Sequence, residues 1–192
     1  ALSSSYAQAD AIPQDYPSPE FHSERRDALR ELMPPNSAAV LFTNPVRNRA
    51  NDVDYVYHQD PDFYYLTGLR EPHAVLVMFK EAQDLGDGLI SNEIVFVQNK
   101  NAYQEMWTGR RLGVKAVQET LQLTGVKNNQ EFDDWKWKAK NMDRIFLFPF
   151  REDIHPGNEG QLFSLVEATK EKLDQRDEQR WELTADSAQS EL

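Results

Sequence analysis

Short apolar runs alternate with polar and helix-like segments along most of the chain. Four runs have the length and composition of buried strands; they are SAAVLFT, HAVLVMF, EIVFVQ and RIFLFPF, at residues 37–43, 73–79, 93–98 and 144–150. Only the turn-rich segment EAQDLGDGLIS separates the second run from the third. We therefore expect these two runs to form a hairpin or an adjacent pair of strands.

Helix boundary signals are clearest in the first third of the chain. The segment SPEFHSERRDALRELM has apolar residues near helical spacing, can be capped by Ser18 or Ser23, and runs into two prolines. The spaced apolar residues are Phe21, Leu29, Leu32 and Met33. The segment DPDFYYLTG predicts a single helical turn, because Asp60 can cap it, Pro61 suits its first position and Gly68 can end it.

Three more helices are predicted in the second half of the chain. One ends at Gly125, one is the amphipathic segment NQEFDDWKWKAK at 129–140, and the last covers about 158–176. The amphipathic segment places three residues on one face: Phe132, Trp135 and Ala139. Segment 44–54 is predicted to be a polar loop.

Strands interleaved with helices indicate an α/β fold. Because the strand runs are almost wholly apolar, we expect a mostly buried sheet with helices on both sides, which makes a three-layer domain. The consecutive strands between residues 73 and 98 indicate that the sheet is mixed rather than fully parallel.

Composition narrows the classes of function. Of 192 residues, 40% are hydrophobic and 11% aromatic, which is enough for a packed core. The formal net charge of −11 repels phosphate backbones, so we expect no nucleic-acid partner. No apolar run approaches the length of a membrane span, and we expect no membrane partner. The chain has no cysteine, which excludes disulfides, thiolate metal sites and a cysteine nucleophile.

The start of the chain has an A-x-A pattern at Ala7 and Ala9, followed by the proline-rich stretch DAIPQDYPSPEF, which has no periodicity. Signal peptidase cuts after such a pattern, although the charged region and most of the apolar region of a signal peptide do not accompany it. The segment is therefore either the last part of a signal peptide or an Ala/Ser-rich tail. The first alternative predicts a periplasmic or secreted protein, and the second leaves the cytoplasm open.

Candidate chemistry is sparse. The four histidines, which are His22, His58, His73 and His155, form no H-E-x-x-H motif. The spacing of His58, Asp60 and Asp62 brings three possible metal ligands together, but Asp60 already has a use as a helix cap and the ligand set is incomplete. The aromatic residues around this segment indicate packing on both sides of a one-turn helix; they are Tyr55, Tyr57, Phe63, Tyr64 and Tyr65.

A more specific signal follows Trp107. Arg110 and Arg111 lie between two glycines, where two guanidinium groups can bind a carboxylate in bidentate fashion or can form surface ion pairs with the many acidic residues. Trp107 lies in a polar setting, off any apolar face, so it is either a binding anchor or a cover over the core.

Three segments taken together resemble the N-terminal domain of aminopeptidase P, the Xaa-Pro aminopeptidases. FHSERRDALRELMPPNSAAVLF is similar to the first helix and strand of that domain, RNRANDVDYVYHQDPDFYYLTGLREPHAVLVM to its most typical stretch, and EMWTGRRLG to its third signature. Their order and spacing agree, and the resemblance covers about residues 20 to 180. One departure is His58, where the family often has arginine.

The resemblance implies a domain like the N-terminal domains of creatinase and prolidase. It also implies a C-terminal "pita-bread" domain in which Asp, Asp, His, Glu and Glu hold two divalent metals, usually manganese, whose bridging hydroxide attacks the peptide bond before proline. None of those ligands can be assigned in this chain. We therefore expect no catalytic residue, no metal ligand and no cofactor on the chain itself, and no peptidase activity from these 192 residues alone.

The resemblance further implies that this half of the protein supports dimers or tetramers and covers one side of the active-site cleft. Trp107 matches the family tryptophan that approaches the active site, in some members that of a neighbouring subunit, and Arg110 and Arg111 match the basic pair after it. These three are the predicted substrate-binding residues. The expected partners are the protein's own catalytic domain, further copies of the chain, and proline-containing peptides.

These expectations divide the chain into a leader at 1–17, an aminopeptidase P N-terminal domain at 18–180, and a linker at 181–192 toward a catalytic domain. A second hypothesis has a different function. It makes the chain a free-standing binding or dimerisation module without peptidase activity.

Overall fold

The computed structural model of the protein describes residues 16–174, apart from residues 138, 149 and 152 and the side chains of residues 104 and 140. The A-x-A pattern, the last residues of the final predicted helix and the linker at 181–192 lie outside the described residues.

Five strands, one more than the four predicted, form one sheet, and this sheet is mixed as predicted. The strands of the chain are β1 (Ser37–Phe42), β2 (Asn48–Ala50), β3 (Val53–Asp54), β4 (Val75–Asp84), β5 (Ile90–Val97), β6 (Val126–Asn128) and β7 (Arg144–Leu147). The order across the sheet is β6-β5-β4-β1-β7. The three central strands pair antiparallel, and β6 and β7 add to the edges in parallel. The predicted strand pair is therefore confirmed as the hairpin β4–β5, while the predicted polar loop at 44–54 contains the short hairpin β2–β3.

Helices cover both faces of this sheet. They are α1 (Pro19–Leu32), α2 (Pro61–Thr67), α3 (Ala102–Thr108), α4 (Gly113–Leu121) and α5 (Leu162–Asp174). Alternate strand residues point to opposite sides. On one face, residues such as Val40 and Phe96 pack with Leu165 of α5, and on the other, residues such as Leu41 pack with Phe63 of α2 and Val117 of α4. The result is the predicted three-layer α/β domain.

The buried side of α1 is more polar than its apolar spacing predicts. Met33 is buried and Leu29 packs against the core as predicted, but Leu32 is 58% exposed. His22, Arg26 and Arg30 are buried as well. These three residues recur every four positions and so form one side of the helix. Their burial is compensated by polar partners, of which Glu93 on β5 is the most important.

Helix α2 begins and ends where the local sequence predicted, although its seven residues make about two turns rather than one. The Oδ1 atom of Asp60 accepts hydrogen bonds from the backbone N–H groups of Asp62 and Phe63, at 3.1 and 3.2 Å. Gly68 follows the helix with a left-handed φ of 72°. A Cβ atom on Gly68 would lie 2.7 Å from Cδ2 of His22, so glycine is required here by both conformation and space.

Two helix predictions are wrong in their extent. Helix α4 ends at Leu121, because Gln122 takes a left-handed φ of 50°, and Gly125 instead allows close contact with the carbonyl oxygen of Glu93. Segment 129–140 is not a continuous helix but contains the 3₁₀ turns Asn129–Glu131 and Ala139–Asn141. An Asn128–Glu131 capping box fixes the first turn. The three residues predicted to share a face, Phe132, Trp135 and Ala139, are all buried in one core cluster.

Within residues 16–174, no helix combines the length and the apolar character that a membrane span needs.

Candidate functional site

One open groove, with a volume of about 1360 Å³, contains all three predicted substrate-binding residues. Its walls come mainly from segments 52–61, 70–73, 98–111 and 154–163. The structure thus brings Trp107, Arg110 and Arg111 together with residues of segment 55–61, which precedes and begins α2. We call segment 55–61 the motif. We call this space the groove.

Trp107 lies near the end of α3 and is 78% exposed. Tyr103 and Met106 of the same helix are also exposed, which leaves an apolar face of α3 uncovered. A tryptophan that lines a groove while most of its side chain meets solvent is not a cover over the core. Of the two interpretations of Trp107, the position of the side chain favours the binding anchor.

Arg111 is held in place by neutral groups. Its Nε donates a 2.7 Å hydrogen bond to Oε1 of Gln98, and Nη1 donates to the carbonyl oxygen of Arg110 at 3.2 Å. Arg110 itself is exposed. Neither arginine forms an ion pair with another residue of the described ranges, so both guanidinium groups keep the capacity to bind an anionic or carbonyl oxygen.

Glu71 links the motif segment to the segment that carries the arginines. Its Oε1 accepts a 2.7 Å hydrogen bond from the backbone N–H of Leu112, and its Oε2 is buried without a hydrogen-bond partner in the described part of the chain. Burial raises the pKa of Glu71, and the nearby Glu105 adds to the rise, while the Leu112 N–H and Arg111 oppose it.

The side chain of Gln59 hydrogen-bonds to residues on both sides of α2. Its Oε1 accepts from the hydroxyl of Tyr57 at 2.8 Å and from the N–H of Asp60 at 2.9 Å. Its Nε2 donates to the carbonyl oxygens of Leu69 and Glu71, at 3.1 and 2.9 Å. The Gln59 side chain therefore connects the residue before α2 to the segment that follows α2. Burial also raises the pKa of Tyr57, which keeps this phenol protonated and able to donate.

His73 also lines the groove. Its Nδ1 accepts a 3.1 Å hydrogen bond from the N–H of Leu162 at the start of α5. Burial, with a smaller contribution from Arg111, lowers the pKa of His73 to about 4. The imidazole is therefore neutral at pH 7.

The aromatic residues divide between packing and exposure. Phe63 is buried, and Tyr64 lies edge-on to His22 with ring centroids 5.3 Å apart, as packing predicts. Tyr55 and Tyr65 are 58% and 47% exposed, but Tyr65 still packs edge-on to Phe21, with ring centroids 5.6 Å apart. The prediction that all five aromatic residues pack is therefore wrong for Tyr55.

The His58, Asp60 and Asp62 spacing does not make a metal site. Both oxygens of Asp60 are used, since Oδ1 caps α2 and Oδ2 accepts a 2.7 Å bond from Arg151. Over the described ranges, no three His, Asp or Glu side chains are grouped so that they can hold an ion. The metal pair that the family resemblance implies was expected in a separate C-terminal domain, and the described residues provide no ligand set for it.

Sequence reasoning missed four polar residues of this site: Gln59, Glu71, His73 and Gln98. Three of them lie within the stretch YHQDPDFYYLTGLREPHA, where polar residues directly precede an apolar strand. That position was a usable signal, because loop residues beside a buried strand often line sites.

The chain matches a sequence model of the family described as aminopeptidase P, N-terminal domain, over residues 22–146. It is 37% identical over 140 residues to an Xaa-Pro aminopeptidase of Haemophilus influenzae, a match that covers 72% of this chain and 30% of that protein. It is 42% identical over 97 residues to an Xaa-Pro aminopeptidase of Escherichia coli, covering 50% of this chain and 21% of that one. A yeast relative from Saccharomyces cerevisiae, intermediate cleaving peptidase 55, is 36% identical over 135 residues, which cover 70% of this chain and 26% of the relative.

Solved structures show the same relationship. An Escherichia coli aminopeptidase P variant in complex with substrate matches with a TM-score of 0.62 and 28% identity, over 83% of this chain and 33% of that chain. Proline aminopeptidase P II from Yersinia pestis gives the same values. This chain therefore spans about a third or less of the length of these relatives.

Proposed function

Since the chain belongs to the aminopeptidase P family through its N-terminal domain, we propose that it is the non-catalytic part of a metal-dependent Xaa-Pro aminopeptidase. That enzyme removes an N-terminal residue that precedes proline. In this proposal, the domain covers the active-site cleft and contributes side chains to the substrate side of it. The predicted boundary of the domain at residue 180 remains part of the proposal.

The observation that carries the proposal is the common location of Trp107, Arg110 and Arg111 on the wall of one open groove. A proline ring offers an apolar face, which an exposed indole can contact. Peptide oxygens are acceptors, which guanidinium groups can bind. The groove therefore has the two kinds of group that an Xaa-Pro peptide requires from a non-reacting wall.

Hydrolysis is assigned to a separate catalytic domain. The family resemblance implies two divalent metals there, with manganese as the expected ions, and these metals would activate the attacking water. No step of that reaction is assigned to residues of this chain, whose proposed task is to orient the peptide and to limit access of solvent to the cleft.

Assembly into dimers or tetramers is also part of the proposal. Exposed apolar residues of α3 and of segment 53–56 support it; they are Val53, Tyr55, Val56, Tyr103, Met106 and Trp107. The same residues support the second candidate, a free-standing binding or dimerisation module. Sedimentation of the purified chain tests this: a stable dimer favours assembly through this domain, and a monomer over a wide concentration range contradicts it.

The test of function compares the protein encoded by the complete reading frame with residues 1–192 alone. Both are given MnCl₂ and the tripeptide Ala-Pro-Ala, and release of alanine is measured. We expect turnover from the complete protein and none from residues 1–192. Turnover by the 192-residue chain that disappears on substitution of one of its own residues overturns the non-catalytic role. A complete protein that binds the peptide but never cleaves it favours the binding module.

Location in the periplasm or outside the cell is a further part of the proposal, supported by the A-x-A pattern at Ala7 and Ala9. Cell fractionation of the native protein, with N-terminal sequencing, tests it. Recovery of the protein in the cytoplasm with residues upstream of Ala7 retained contradicts it.

A further inference from the structure

His73 is held rigidly at the wall of the groove. Its backbone has a left-handed φ of 60°, which is uncommon for a residue other than glycine. The carbonyl oxygen of His73 accepts a 2.8 Å hydrogen bond from Nδ2 of Asn129, and its ring accepts the 3.1 Å bond from the N–H of Leu162. Asn129 is itself buried and also donates to the carbonyl oxygen of Gly160 at 2.6 Å. The main chain and the ring are thus fixed by separate partners.

The bond from Leu162 also decides where the proton of the ring lies. Because Nδ1 accepts a hydrogen bond, it carries no proton, and the single proton of the neutral ring lies on Nε2. The low pKa of His73 keeps the ring in this neutral form at pH 7. Among the described residues, the hydrogen-bond partner of the His73 ring is the N–H of Leu162. The Nε2–H group is therefore an uncharged donor that no residue of the described ranges uses.

The chemistry of an Xaa-Pro peptide explains what such a donor can bind. Proline has no backbone N–H, so the segment around it cannot be recognised through that donor. Its carbonyl oxygens remain available, and a neutral N–H matches a neutral amide oxygen without burying an unpaired charge. Arg111 lines the same groove, so it offers a second donor there.

We propose that the Nε2–H of His73 donates a hydrogen bond to a carbonyl oxygen of the peptide substrate, and that His73 is a specificity-determining residue of the groove. This inference rests on the proposed function. The simpler explanation gives His73 a structural role alone, as the acceptor for the first N–H of α5.

Two substitutions separate the roles. In His73→Asn, the side-chain oxygen can replace Nδ1 as the acceptor for Leu162, and asparagine tolerates a positive φ well. This variant keeps the structural contact and loses the groove donor. In His73→Gln, the longer side chain can place an amide N–H near the original position of Nε2.

The experiment uses the protein from the complete reading frame, with Ala-Pro-Ala as substrate. For His73→Asn, we expect KM to rise about threefold to tenfold, as the loss of one neutral hydrogen bond predicts, with kcat nearly unchanged. We expect His73→Gln to restore KM to within about twofold of wild type, since it regains a neutral donor. Thermal unfolding at pH 7.5 checks that both variants are folded. Long-range ¹H–¹⁵N NMR of the imidazole in the wild-type chain reports which nitrogen carries the proton.

A proton on Nδ1 overturns the inference, and so does a folded His73→Asn variant with unchanged KM. These outcomes differ from failure of the proposed function. If the wild-type protein does not cleave Ala-Pro-Ala, the proposed function fails and this inference fails with it. If the wild-type protein is active and the substitutions are silent, the inference alone is wrong.

Discussion

The Nε of Arg26 donates a 2.8 Å hydrogen bond to Oε2 of Glu93, and only 1% and 5% of these two side chains are exposed. The pair joins α1 to β5 through the interior of the domain. Arg30 donates to the same oxygen at 2.9 Å, and Arg26 also donates to the carbonyl oxygens of Leu66 and Gln122. A charge network in this position connects α1, α2, β5 and the end of α4.

Glu93→Gln tests this network. The amide leaves the buried guanidinium group of Arg26 without its carboxylate partner, and leaves Arg30 with Asp27 alone. Breaking a buried ion pair on one side costs on the order of 3–5 kcal/mol, because the remaining charge stays desolvated. We expect the free energy of unfolding, measured by urea denaturation at pH 7, to fall by about that amount.

The matched control is Glu167→Gln on α5. Glu167 pairs with Lys170 at 2.7 Å, but the two side chains are 45% and 47% exposed. An exposed pair contributes less than about 1 kcal/mol. Equal losses for the two variants would show that burial does not distinguish the pairs, and would contradict the structural role of Glu93.

Gly68→Ala is expected to destabilise the domain for two reasons. A left-handed φ costs an alanine about 1 kcal/mol, and the new Cβ would lie 2.7 Å from His22. His22 cannot move easily, since it is buried and its Nδ1 lies 2.8 Å from the carbonyl oxygen of Tyr65. We expect the clash to add roughly 1–3 kcal/mol to the loss.

Gly88→Ala is the control for the backbone contribution. Gly88 has a similar φ of 75°, but no atom lies within 4 Å of the position that its Cβ would take. Thermal or urea unfolding of both variants isolates the contact with His22. If both substitutions cost the same, the close approach of Gly68 to His22 contributes nothing.

The sequence predicts an element correctly where the residues that determine its structure lie close together in the chain. Asp60, Pro61 and Gly68 define α2 through bonds and dihedral angles within one short segment, so its ends were predictable. The spacing of Phe132, Trp135 and Ala139 also suits a helix, but contacts with residues distant in sequence determine the conformation of this segment. Trp135 donates from Nε1 to the carbonyl oxygen of Leu85 at 3.1 Å, which holds an irregular segment against the sheet.

The buried face of α1 was unpredictable for the same reason. His22, Arg26 and Arg30 are polar, and their burial depends on distant partners. The two arginines depend on Glu93, more than 60 residues away in sequence, and His22 lies against the carbonyl oxygen of Tyr65. In the groove, Trp107, Arg110 and Arg111 were candidates from their local sequence, and the family resemblance then assigned them to the substrate side. Sequence alone did not identify Glu71 or His73, because their partners, Leu112 and Leu162, come from segments 41 and 89 residues away.

Gln59→Glu tests the hydrogen bonds that the Gln59 side chain makes around α2. The substitution replaces the donating Nε2 with an oxygen that faces the carbonyl oxygens of Leu69 and Glu71. Two acceptors lose their donor, and the new oxygen repels both. We expect a loss of stability on the order of 3 kcal/mol by urea unfolding at pH 7. Gln118→Glu, on the exposed side of α4, is the control and should stay within about 0.5 kcal/mol of wild type.

His73 predicts a specific dependence of stability on pH. Its ordinary pKa of 6.5 falls to about 4 in the folded protein, mainly through burial. Between these values the unfolded chain binds a proton that the folded chain does not, so stability decreases as pH falls from 6.5 to 4. The loss due to this group is roughly 3 kcal/mol when complete.

The measurement compares urea unfolding of the wild type and His73→Asn from about pH 7.5 to about pH 4, the range that covers both pKa values. Asparagine does not titrate, so the variant should lose less stability across this range, and the two curves should converge or cross as the pH falls. Parallel curves would show that the imidazole titrates alike in both states, which contradicts the burial of a neutral ring.

Trp107→Ala should separate function from folding. Because the side chain is 78% exposed, we expect the free energy of unfolding to change by no more than about 0.5 kcal/mol. We expect kcat/KM of the complete protein for Ala-Pro-Ala to fall roughly tenfold or more, as for the loss of an aromatic anchor.

Trp135→Ala is the control with the opposite expectation. The ring centroids of Trp135 and Phe96 are 5.1 Å apart in the core, and removal of this buried indole costs about 3–5 kcal/mol of stability. A stable Trp107→Ala protein with unchanged kcat/KM would contradict the substrate-side role of Trp107. A large loss of stability would instead show that the indole packs against the fold, and the activity of that variant would no longer report on the groove.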